Sequence, residues 1–585
     1  VAALLAVAAC LALPALASAH AYLIKTAPTA SGVLNAAPQQ VALTYDEAVE
    51  PRFAIISVTS AAGDQEATGA VHRSPGNPDT LVVDVKRGLP EGWYLVYWRA
   101  ISVDGHPVQG AFTYAVGPNP GPAPRFAIPS ISASAVSAQP LIARWVMFVS
   151  VMVSIGLFVL RFLIARALPR RLAEARLHAL SVAFVVTSVI GLVAIFAYLD
   201  ISTAIDSLRS MLDVAALVPL FRVTAFGRGY VDMLICFGLF CVAAWTALLY
   251  DRPTRPRRSV AELAAQTGAL LAAGAVLAIP GASGHAAQTP PRGVTLAADW
   301  LHLIAGSLWL GGLVGLLVLW FSAPPGLRVR SLSYVAPRFS KLALGSVILL
   351  LSTGTIETID HMPALDALWR TGYGVAILVK IAILVVAMAV ASGNLLWSTP
   401  TLARAGTDPG DQAAPRQANV GRRPSSPDGA ARVLRRLVAG ETVLVTGAVF
   451  VAAVLSSLAP PPPAFALQDR ALAQVGPGRV SHTVTRGAYR LSVLVAPNRA
   501  AAPDAFALRI THNGLPVRGA TVTLTFNHTQ MEMPQQEYQL TETAPGVYTR
   551  TAPALIMVGN WSLQFQVTPP GGPPFTALIL DEAEG

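Results

Sequence analysis

Eight long apolar runs in the middle of the chain are the strongest constraint on its fold. Each run is close to the ~20 residues that an α-helix needs to cross a bilayer. Only 13% of the 585 residues are charged, as expected for a membrane protein with soluble domains attached. The sequence therefore predicts a multi-domain membrane protein with a bundle of about eight transmembrane helices. The predicted spans are 141–163, 178–199, 229–250, 260–281, 298–321, 340–357, 373–397 and 437–459.

The charged residues between these runs predict the orientation of the bundle. Arginine-rich loops follow the first, third, fifth and seventh runs, whereas the loops 200–228, 282–297 and 358–372 carry few basic residues. Because basic loops stay on the cytoplasmic side, both termini are predicted to lie outside the cytoplasmic membrane. The same asymmetry accounts for the net charge of +10 without a nucleic-acid partner. The polar stretch 399–436 is predicted to be a cytoplasmic loop.

The first 19 residues have the pattern of a secretory signal peptide. They are apolar and end in ALASA, which is typical of a signal peptidase site. Cleavage there makes His20 the first residue of the exported chain and agrees with the predicted orientation. The alternative is a lipoprotein box, VAAC, with acylation at Cys10, in which case His20 is internal. Cys236 and Cys241 lie in one apolar run, so no disulfide framework is indicated.

Two all-β domains are predicted on either side of the bundle. Alternating runs such as QVALTYDEAV, TLVVDVK and WYLVYWRAIS, separated by turn residues, predict a β-sandwich over 20–120. Runs such as YRLSVLVAP and NWSLQFQV predict a second β-sandwich over 481–585. The stretches 121–140 and 460–480 are rich in proline and are predicted to be linkers around the membrane domain 141–459.

His20 has the chemistry of a copper ligand if it is the first residue. Its α-amine and ring Nδ1 form one chelate, and a second imidazole completes a set of three nitrogens that suits tetragonal Cu(II). The stretch SVDGHPVQG supplies Asp104 and His106, two positions apart in a predicted turn. Alternation along a strand places such residues on the same side. We interpret these three residues as a Cu(II) site, with Asp104 either as an axial ligand or as a group that orients a ring.

A second set of candidate ligands lies in the membrane domain. His285 ends the fourth span, and Asp299 and His302 share one helix face at the start of the fifth. Gly306, one turn further on, leaves room beside the imidazole. Ionisable residues in spans are costly and usually functional. We interpret His285, Asp299 and His302 as the mouth of a metal pathway, with capping of the helix terminus as the alternative.

Two further ionisable residues lie within predicted spans. Lys380 is predicted to pair with a carboxylate, either Glu357 or Asp232, because an unpaired ammonium at that depth is costly. Glu441 lies near the predicted inner end of the eighth span. Both are interpreted as structural residues.

The C-terminal domain contains one cluster of soft donors. The stretch FNHTQMEMPQQEY holds His528, Met531 and Met533, an imidazole with two thioethers. Such a set favours Cu(I). The alternative is a loop with ordinary methionine packing.

The N-terminal stretches HAYLIKTAPTASG, LTYDEAVEPRF and WRAISVDGHPVQGAFTYAVG resemble CopC, a periplasmic copper-binding β-sandwich. The resemblance covers nearly all of 20–117 and implies Cu(II) binding by His20, Asp104 and His106. It also implies a weaker contribution from Glu47, next to which Asp46 is a possible substitute. No methionine occurs between 20 and 140, so the methionine-rich Cu(I) site of some CopC proteins is not expected here.

The membrane domain resembles CopD, an inner-membrane copper-resistance protein. The resemblance is carried by GHA, DWLHLIAGSLWLGGL and TGYGVAILVKIAILVVAMAVASGN and covers about 140–460. The C-terminal domain is similar to the YtkA/FixH-type β-sandwich through GVY and GNWSL. The CopD resemblance implies a copper role for the membrane residues as well.

These features predict a protein that imports or otherwise manages copper and is not an enzyme. Cu(II) is captured outside and passed to the membrane domain, with Cu(I) expected elsewhere along the route. No nucleotide-binding P-loop occurs, so any driving force would come from a gradient. Besides copper ions and the lipid bilayer, the expected partner is a periplasmic or extracellular copper chaperone. No nucleic-acid partner is expected.

Three other functions are open on the sequence alone. Histidines near the span ends allow a haem-binding membrane oxidoreductase. A first-residue histidine with a second histidine is also the copper centre of polysaccharide-cleaving oxygenases. A copper buffer or sensor that does not transport would show the same ligands.

Overall fold

The computed structural model describes two β-domains and a helical bundle between them. The described residues are 23–30, 32–45, 49, 51–101, 107–121, 124, 126, 138–172, 174–206, 225–283, 291–398, 400, 402, 427–458, 460–461, 465, 471–500, 502–529, 536–556 and 558–584. The predicted signal peptide lies outside them. So do seven predicted site residues, namely His20, Glu47, Asp104, His106, His285, Met531 and Met533.

Residues 23–116 form the predicted β-sandwich from two four-stranded sheets. The sheets have the strand orders β1-β3-β6-β5 and β2-β8-β7-β4. Alternation directs Val41 and Leu43 of β3 and Val96 and Trp98 of β7 into one core between the sheets. The strands are β1 Leu23–Ala27, β2 Val33–Leu34, β3 Gln40–Tyr45, β4 Ile55–Ser60, β5 Ala67–Ser74, β6 Asn77–Val85, β7 Gly92–Ile101 and β8 Pro107–Val116.

Eight helices long and apolar enough to cross a membrane follow in the described part of the chain, which confirms the predicted bundle. They are α1 Ala138–Val159, α2 His178–Asp206, α3 Ala225–Tyr250, α4 Val260–Ser283, α5 Arg292–Ser322, α6 Pro325–His361, α7 Gly372–Gly393 and α8 Pro427–Leu455. A π-helical turn, Asn394–Ser398, extends α7. Helices α6 and α8 begin well before their predicted spans, because their first turns are rich in arginine and hydropathy does not detect them.

Helices α1 and α5 form the centre of the bundle. The most apolar windows of these two helices are 78% and 67% buried, against 17–33% for the others. They approach closely where Gly156 of α1 faces Gly311 of α5. A Cβ on Gly156 would lie 2.6 Å from the Cα of Gly311, so only glycine permits this backbone contact.

The two ends of the bundle differ in chemistry. We call the end where α1 begins and α8 ends the sandwich end, because both β-domains are joined there. At the opposite end, which we call the arginine end, Arg166 lies 3.0 Å from Asp251 and 2.9 Å from Glu262. Arg161 adds a contact of 2.8 Å to Asp251. These buried ion pairs connect the end of α1 to α3 and α4.

The described residues of the C-terminal domain form ten strands around their own core, nine of them hydrogen-bonded in one path and β13 paired with β12 beside it. Strand β15 joins the two layers, because its first half pairs with β14 and its second half with β16. Phe506, Phe526 and Trp561 are buried in this core. The strands are β9 Ala473–Val475, β10 Val480–Arg486, β11 Tyr489–Ala496, β12 Asp504–His512, β13 Leu515–Pro516, β14 Thr521–His528, β15 Gln536–Ala544, β16 Val547–Ala552, β17 Gly559–Thr568 and β18 Phe575–Ala583.

Two buried carboxyl groups hold one turn of this domain. Asp504 Oδ1 accepts the backbone N–H of Asn498 at 2.7 Å, and Asp581 Oδ1 accepts the Asn498 side-chain amide at 2.9 Å. Asn498 has the left-handed φ of 63°, which this pair of bonds stabilises. Burial raises the pKa of Asp504 to about 7 and that of Asp581 to about 6.

We expect the C-terminal domain to lose stability as the pH rises from 4 to 7. The folded domain binds more protons than the unfolded chain in this window, because both folded pKa values lie above the ordinary aspartate pKa of 3.8. Above pH 6.5 only Asp504 still contributes, with a loss of about 1 kcal/mol up to pH 8. Thermal unfolding of residues 471–585 at pH 6.5 and 8 measures the loss, and Asp504→Asn should remove it. An unchanged pH dependence in Asp504→Asn would contradict the assignment.

The two β-domains touch at the edge of β8. Strand β2 pairs only with Ala115 and Val116, so the rest of that edge has no strand partner in the described sheet. The backbone N–H of Ala111 donates to the carbonyl of Ile556, between β16 and β17, at an N···O distance of 3.4 Å. Covering an edge strand in this way reduces the number of unpaired backbone groups.

Candidate functional site

A cluster of ionisable side chains lies inside the bundle near the sandwich end. Asp299 and His302 come from the start of α5, Glu357 from the end of α6, and Lys380 from the first half of α7. Charged groups within a bundle of apolar helices are expensive, and their grouping makes this place the candidate functional site.

The hydrogen bonds around His302 define its tautomer. Thr353 donates its hydroxyl proton to the carbonyl of Leu349 at 2.8 Å, so its oxygen accepts from the His302 Nδ1–H at 2.9 Å. The opposite ring atom, Nε2, therefore carries the lone pair. Lys380 Nζ lies 3.4 Å from that atom. The nitrogen that would bind a metal ion thus faces an ammonium group.

Three carboxylate oxygens near the sandwich end lack hydrogen-bond partners among the described residues. They belong to Asp299, Glu357 and Asp360, and the atoms are buried. Glu357 Oε1 lies 3.9 Å from His302 Nδ1. Buried oxygens of this kind are costly unless a cation or a donor reaches them. The cluster therefore has acceptor capacity left for a positive ligand.

Two glycines make room for the cluster. A Cβ on Gly281 of α4 would collide with Asp299 Oδ2, so the glycine allows the carboxylate to lie against α4. Gly354 of α6 lies against the His302 ring. A Cβ on Gly354 would be 3.4 Å from His302 Cε1, so the absence of a side chain gives the ring room. These contacts join α4, α5 and α6 around one polar centre.

The structure agrees with some sequence expectations for this cluster and changes others. Asp299 and His302 do share a helix face, but the space at Gly306 is filled, since a Cβ there would lie 2.7 Å from the methyl carbon of Met152. Lys380 contacts His302 rather than forming an ion pair with Glu357 or Asp232. Sequence reasoning missed Thr353, although Thr353 and Glu357 are one turn apart in the run TGTIETID, a polar stripe in an apolar helix.

The described cluster alone is not a closed metal cage. Among the residues that the structure describes, no three His, Cys, Asp or Glu side chains are placed to hold one ion. His302 offers one nitrogen, and the nearby carboxylates offer oxygens. Binding at Nε2 requires the Lys380 ammonium to move away. This arrangement suits a cation in transit better than a resident ion.

In the N-terminal β-domain, the strand ends that adjoin the predicted copper ligands in the sequence lie close together. Leu23 at the start of β1 pairs with Tyr45 at the end of β3. The end of β7 and the start of β8 pair through Ile101 and Pro107, and the start of β4 pairs with Arg99 of β7. All these strand ends lie at one end of the sandwich. The predicted ligands His20, Glu47, Asp104 and His106 follow or precede them in the chain but lie outside the described residues.

His528 is a buried residue of the C-terminal core. Its ring lies edge-on to Trp561 with a centroid distance of 5.1 Å, and only 4% of the residue is exposed. Burial lowers the pKa of His528 to about 4, so the imidazole is neutral at physiological pH. Met531 and Met533 lie outside the described residues, and their soft-donor role stays a prediction.

Comparison with known proteins gives matches along the whole chain. Three family models match in order: the CopC domain over 23–117, Copper resistance protein D over 333–455 and the YtkA-like family over 483–566. The second of these contains Glu357, Lys380 and Glu441, whereas Asp299 and His302 precede it.

Individual relatives follow the same division. Copper transport protein CutJ of Bacillus subtilis is 26% identical over 94% of both chains. Copper resistance protein C of Pseudomonas syringae pv. tomato is 36% identical and matches 17% of this chain and 84% of its own length. The crystal structure of CopC from Methylosinus trichosporium OB3b is 29% identical, covering 17% of this chain and 98% of that one, with a TM-score of 0.16.

The order of the matches agrees with the order of the three structural units. The CopC model covers the first β-sandwich, the CopD model covers the last three of the eight long helices, and the YtkA-like model covers most of the second β-domain. The chain therefore carries segments similar to the CopC, CopD and YtkA-like families, in that order, in one polypeptide.

Proposed function

We propose that this protein carries copper inward across the cytoplasmic membrane, with both β-domains on the outer side. The observation that carries the proposal is the contact of 3.4 Å between Lys380 Nζ and His302 Nε2, inside an eight-helix bundle. An imidazole lone pair held against a displaceable cation, with carboxylate oxygens nearby, suits temporary binding of a metal cation. The copper transport protein CutJ, similar over 94% of the chain, supports copper as the cargo.

The first step in this proposal is capture of Cu(II) by the N-terminal domain. His20, Asp104 and His106 supply nitrogen and carboxylate donors, and Glu47 is a weaker fourth candidate. The strand ends that flank these positions share one end of the sandwich, which supports a common site. The arginine-rich loops that follow the first, third, fifth and seventh spans support the outer position of both β-domains.

The second step is transfer to the membrane cluster at the sandwich end. His302 with Asp299 receives the ion, and His285 joins them from the end of α4. His528, with Met531 and Met533, is a further candidate for a reduced Cu(I) ion. The protein acts as a carrier and converts no organic substrate. A copper chaperone outside the membrane supplies the ion.

Copper uptake into sealed proteoliposomes that contain the full chain tests the proposal. We expect His302→Ala to lower the initial rate at least 10-fold, because it removes the only nitrogen donor of the described cluster. His20→Ala should lower the rate mainly at low copper concentration, since capture then limits uptake. His482→Ala, an exposed histidine on β10, is the matched control and should not change the rate. Wild-type rates in both His302→Ala and His20→Ala would contradict the route.

A further inference from the structure

A second polar site lies deeper in the bundle. Glu441 is at the middle of α8 and only 3% exposed. Trp309 of α5 donates its indole N–H to Glu441 Oε1 at 2.7 Å, and Asn394 donates its side-chain amide to Oε2 at 3.3 Å. Trp309 is seven residues beyond His302, which is roughly 10 Å along the helix axis. Glu441 therefore lies between the His302 cluster and the arginine end.

Glu441 forms no ion pair within the described part of the chain. The charged or titratable residues nearest the middle are Arg144 on α1, His302 on α5, Lys341 on α6 and Lys380 on α7, with Arg436 on α8 itself. None of these forms a hydrogen bond or an ion pair with Glu441. An isolated carboxylate in an apolar bundle is costly, and the usual solution is to bind a proton.

Asn394 can hydrogen-bond to either protonation state of this carboxyl group. In the structure its Nδ2 donates to the carboxylate, and its Oδ1 is buried with no partner among the described residues. Rotation of the amide by half a turn brings Oδ1 to the same place, where it accepts the O–H of a carboxylic acid. Asn394 also begins the π-helical turn Asn394–Ser398, and such turns are frequent at functional sites.

We propose that Glu441 is a proton-binding site, that Asn394 serves both of its protonation states, and that the site takes up and releases a proton as copper crosses the bundle. The proton from water forms an O–H bond with the carboxylate and leaves to water afterwards, so no other reactant is needed. Proton binding rests on this geometry alone. Its coupling to copper rests on the proposed function.

Infrared spectra of the full chain in lipid, recorded as the pH is raised, test proton binding directly. We expect the wild type to show a carboxylic acid band in addition to those of Asp504 and Asp581; this band disappears at high pH, is absent in Glu441→Gln and is kept in Glu441→Asp. Asp428→Asn, an exposed carboxyl change on the same helix, is the matched control and should keep the band. If Glu441→Gln does not fold, Trp309→Phe should shift the band by removing the indole donor. A band that neither Glu441→Gln nor Trp309→Phe changes would overturn the proposal.

Proteoliposomes with an internal pH indicator test the coupling. We expect copper addition to move protons in the wild type and in Asp428→Asn, and at least 10-fold less in Glu441→Gln. Copper movement without proton movement in the wild type would overturn the coupling while leaving copper transport in place. If the wild type moves no copper, the proposed function fails, and the infrared band still decides whether Glu441 binds a proton.

Discussion

Replacing Lys380 by leucine should tighten copper binding at His302 by a factor of about 10 to 100, because an ammonium that has retreated to roughly 7 Å from the metal ion still costs about 2 kcal/mol at an effective dielectric constant near 20. The ammonium lies 3.4 Å from the lone pair of Nε2 and must retreat before a cation binds. Leucine removes the charge and, unlike methionine, adds no thioether that would itself bind Cu(I). The three buried carboxylate oxygens then lack their nearby cation and favour a positive ligand more strongly.

The measurement is a competition titration of Cu(I) against a chelator, using the full chain. His20→Ala and His106→Ala are combined as the background, so that the N-terminal ligands do not contribute. Lys380→Arg is the matched control, because it retains the charge and should leave the affinity close to that of the background. Equal affinities for Lys380→Leu and Lys380→Arg would show that the ammonium does not compete with the metal ion.

Substitution of Gly156 by valine should prevent correct assembly of the bundle. A side chain there collides with the backbone carbonyl of Ser307 and with Gly311, and neither backbone can move without separating α1 from α5. Overpacking of a tight core costs about 1–3 kcal/mol. We expect a cost at the upper end or above it, because the obstacle is backbone at the centre of the bundle rather than a flexible side chain.

The yield of monodisperse protein after size-exclusion chromatography measures this effect, together with the thermal unfolding midpoint. Gly238→Val is the matched control, because Gly238 lies in α3 and a Cβ there meets nothing within 4 Å. We expect Gly238→Val to behave nearly as the wild type. Comparable losses in the two variants would show that valine in a span, rather than the contact between α1 and α5, is responsible.

Long apolar runs and strand alternation made most of the architecture predictable. A transmembrane helix satisfies its own backbone, so its presence depends on about 20 consecutive residues and little else. The start of α6 at Pro325 was outside the predicted span because arginines interrupt the apolar pattern there. The topology of the C-terminal domain, with β15 shared by two layers, depends on pairings between distant segments that periodicity does not encode.

The candidate site was only partly predictable, for a similar reason. Asp299 and His302 are three residues apart, so helix geometry alone places them on one face. Lys380 and Thr353 come from other helices, and their contacts with His302 depend on how three helices pack. Glu441 gives the clearest difference. The sequence indicated a structural carboxylate near a span end, whereas packing with Trp309 and Asn394 places it within the bundle.

The sequence by itself determined the number of spans, the two β-domains and the residue types available for copper, since each of these follows from composition, periodicity or a local motif. Only the tertiary structure decided that the His302 lone pair faces an ammonium and that Glu441 has no counter-ion within the described residues. The physical reason is that hydropathy and helix periodicity act over neighbouring residues. The partner of a buried charge is chosen instead by the packing of helices that are distant in the chain.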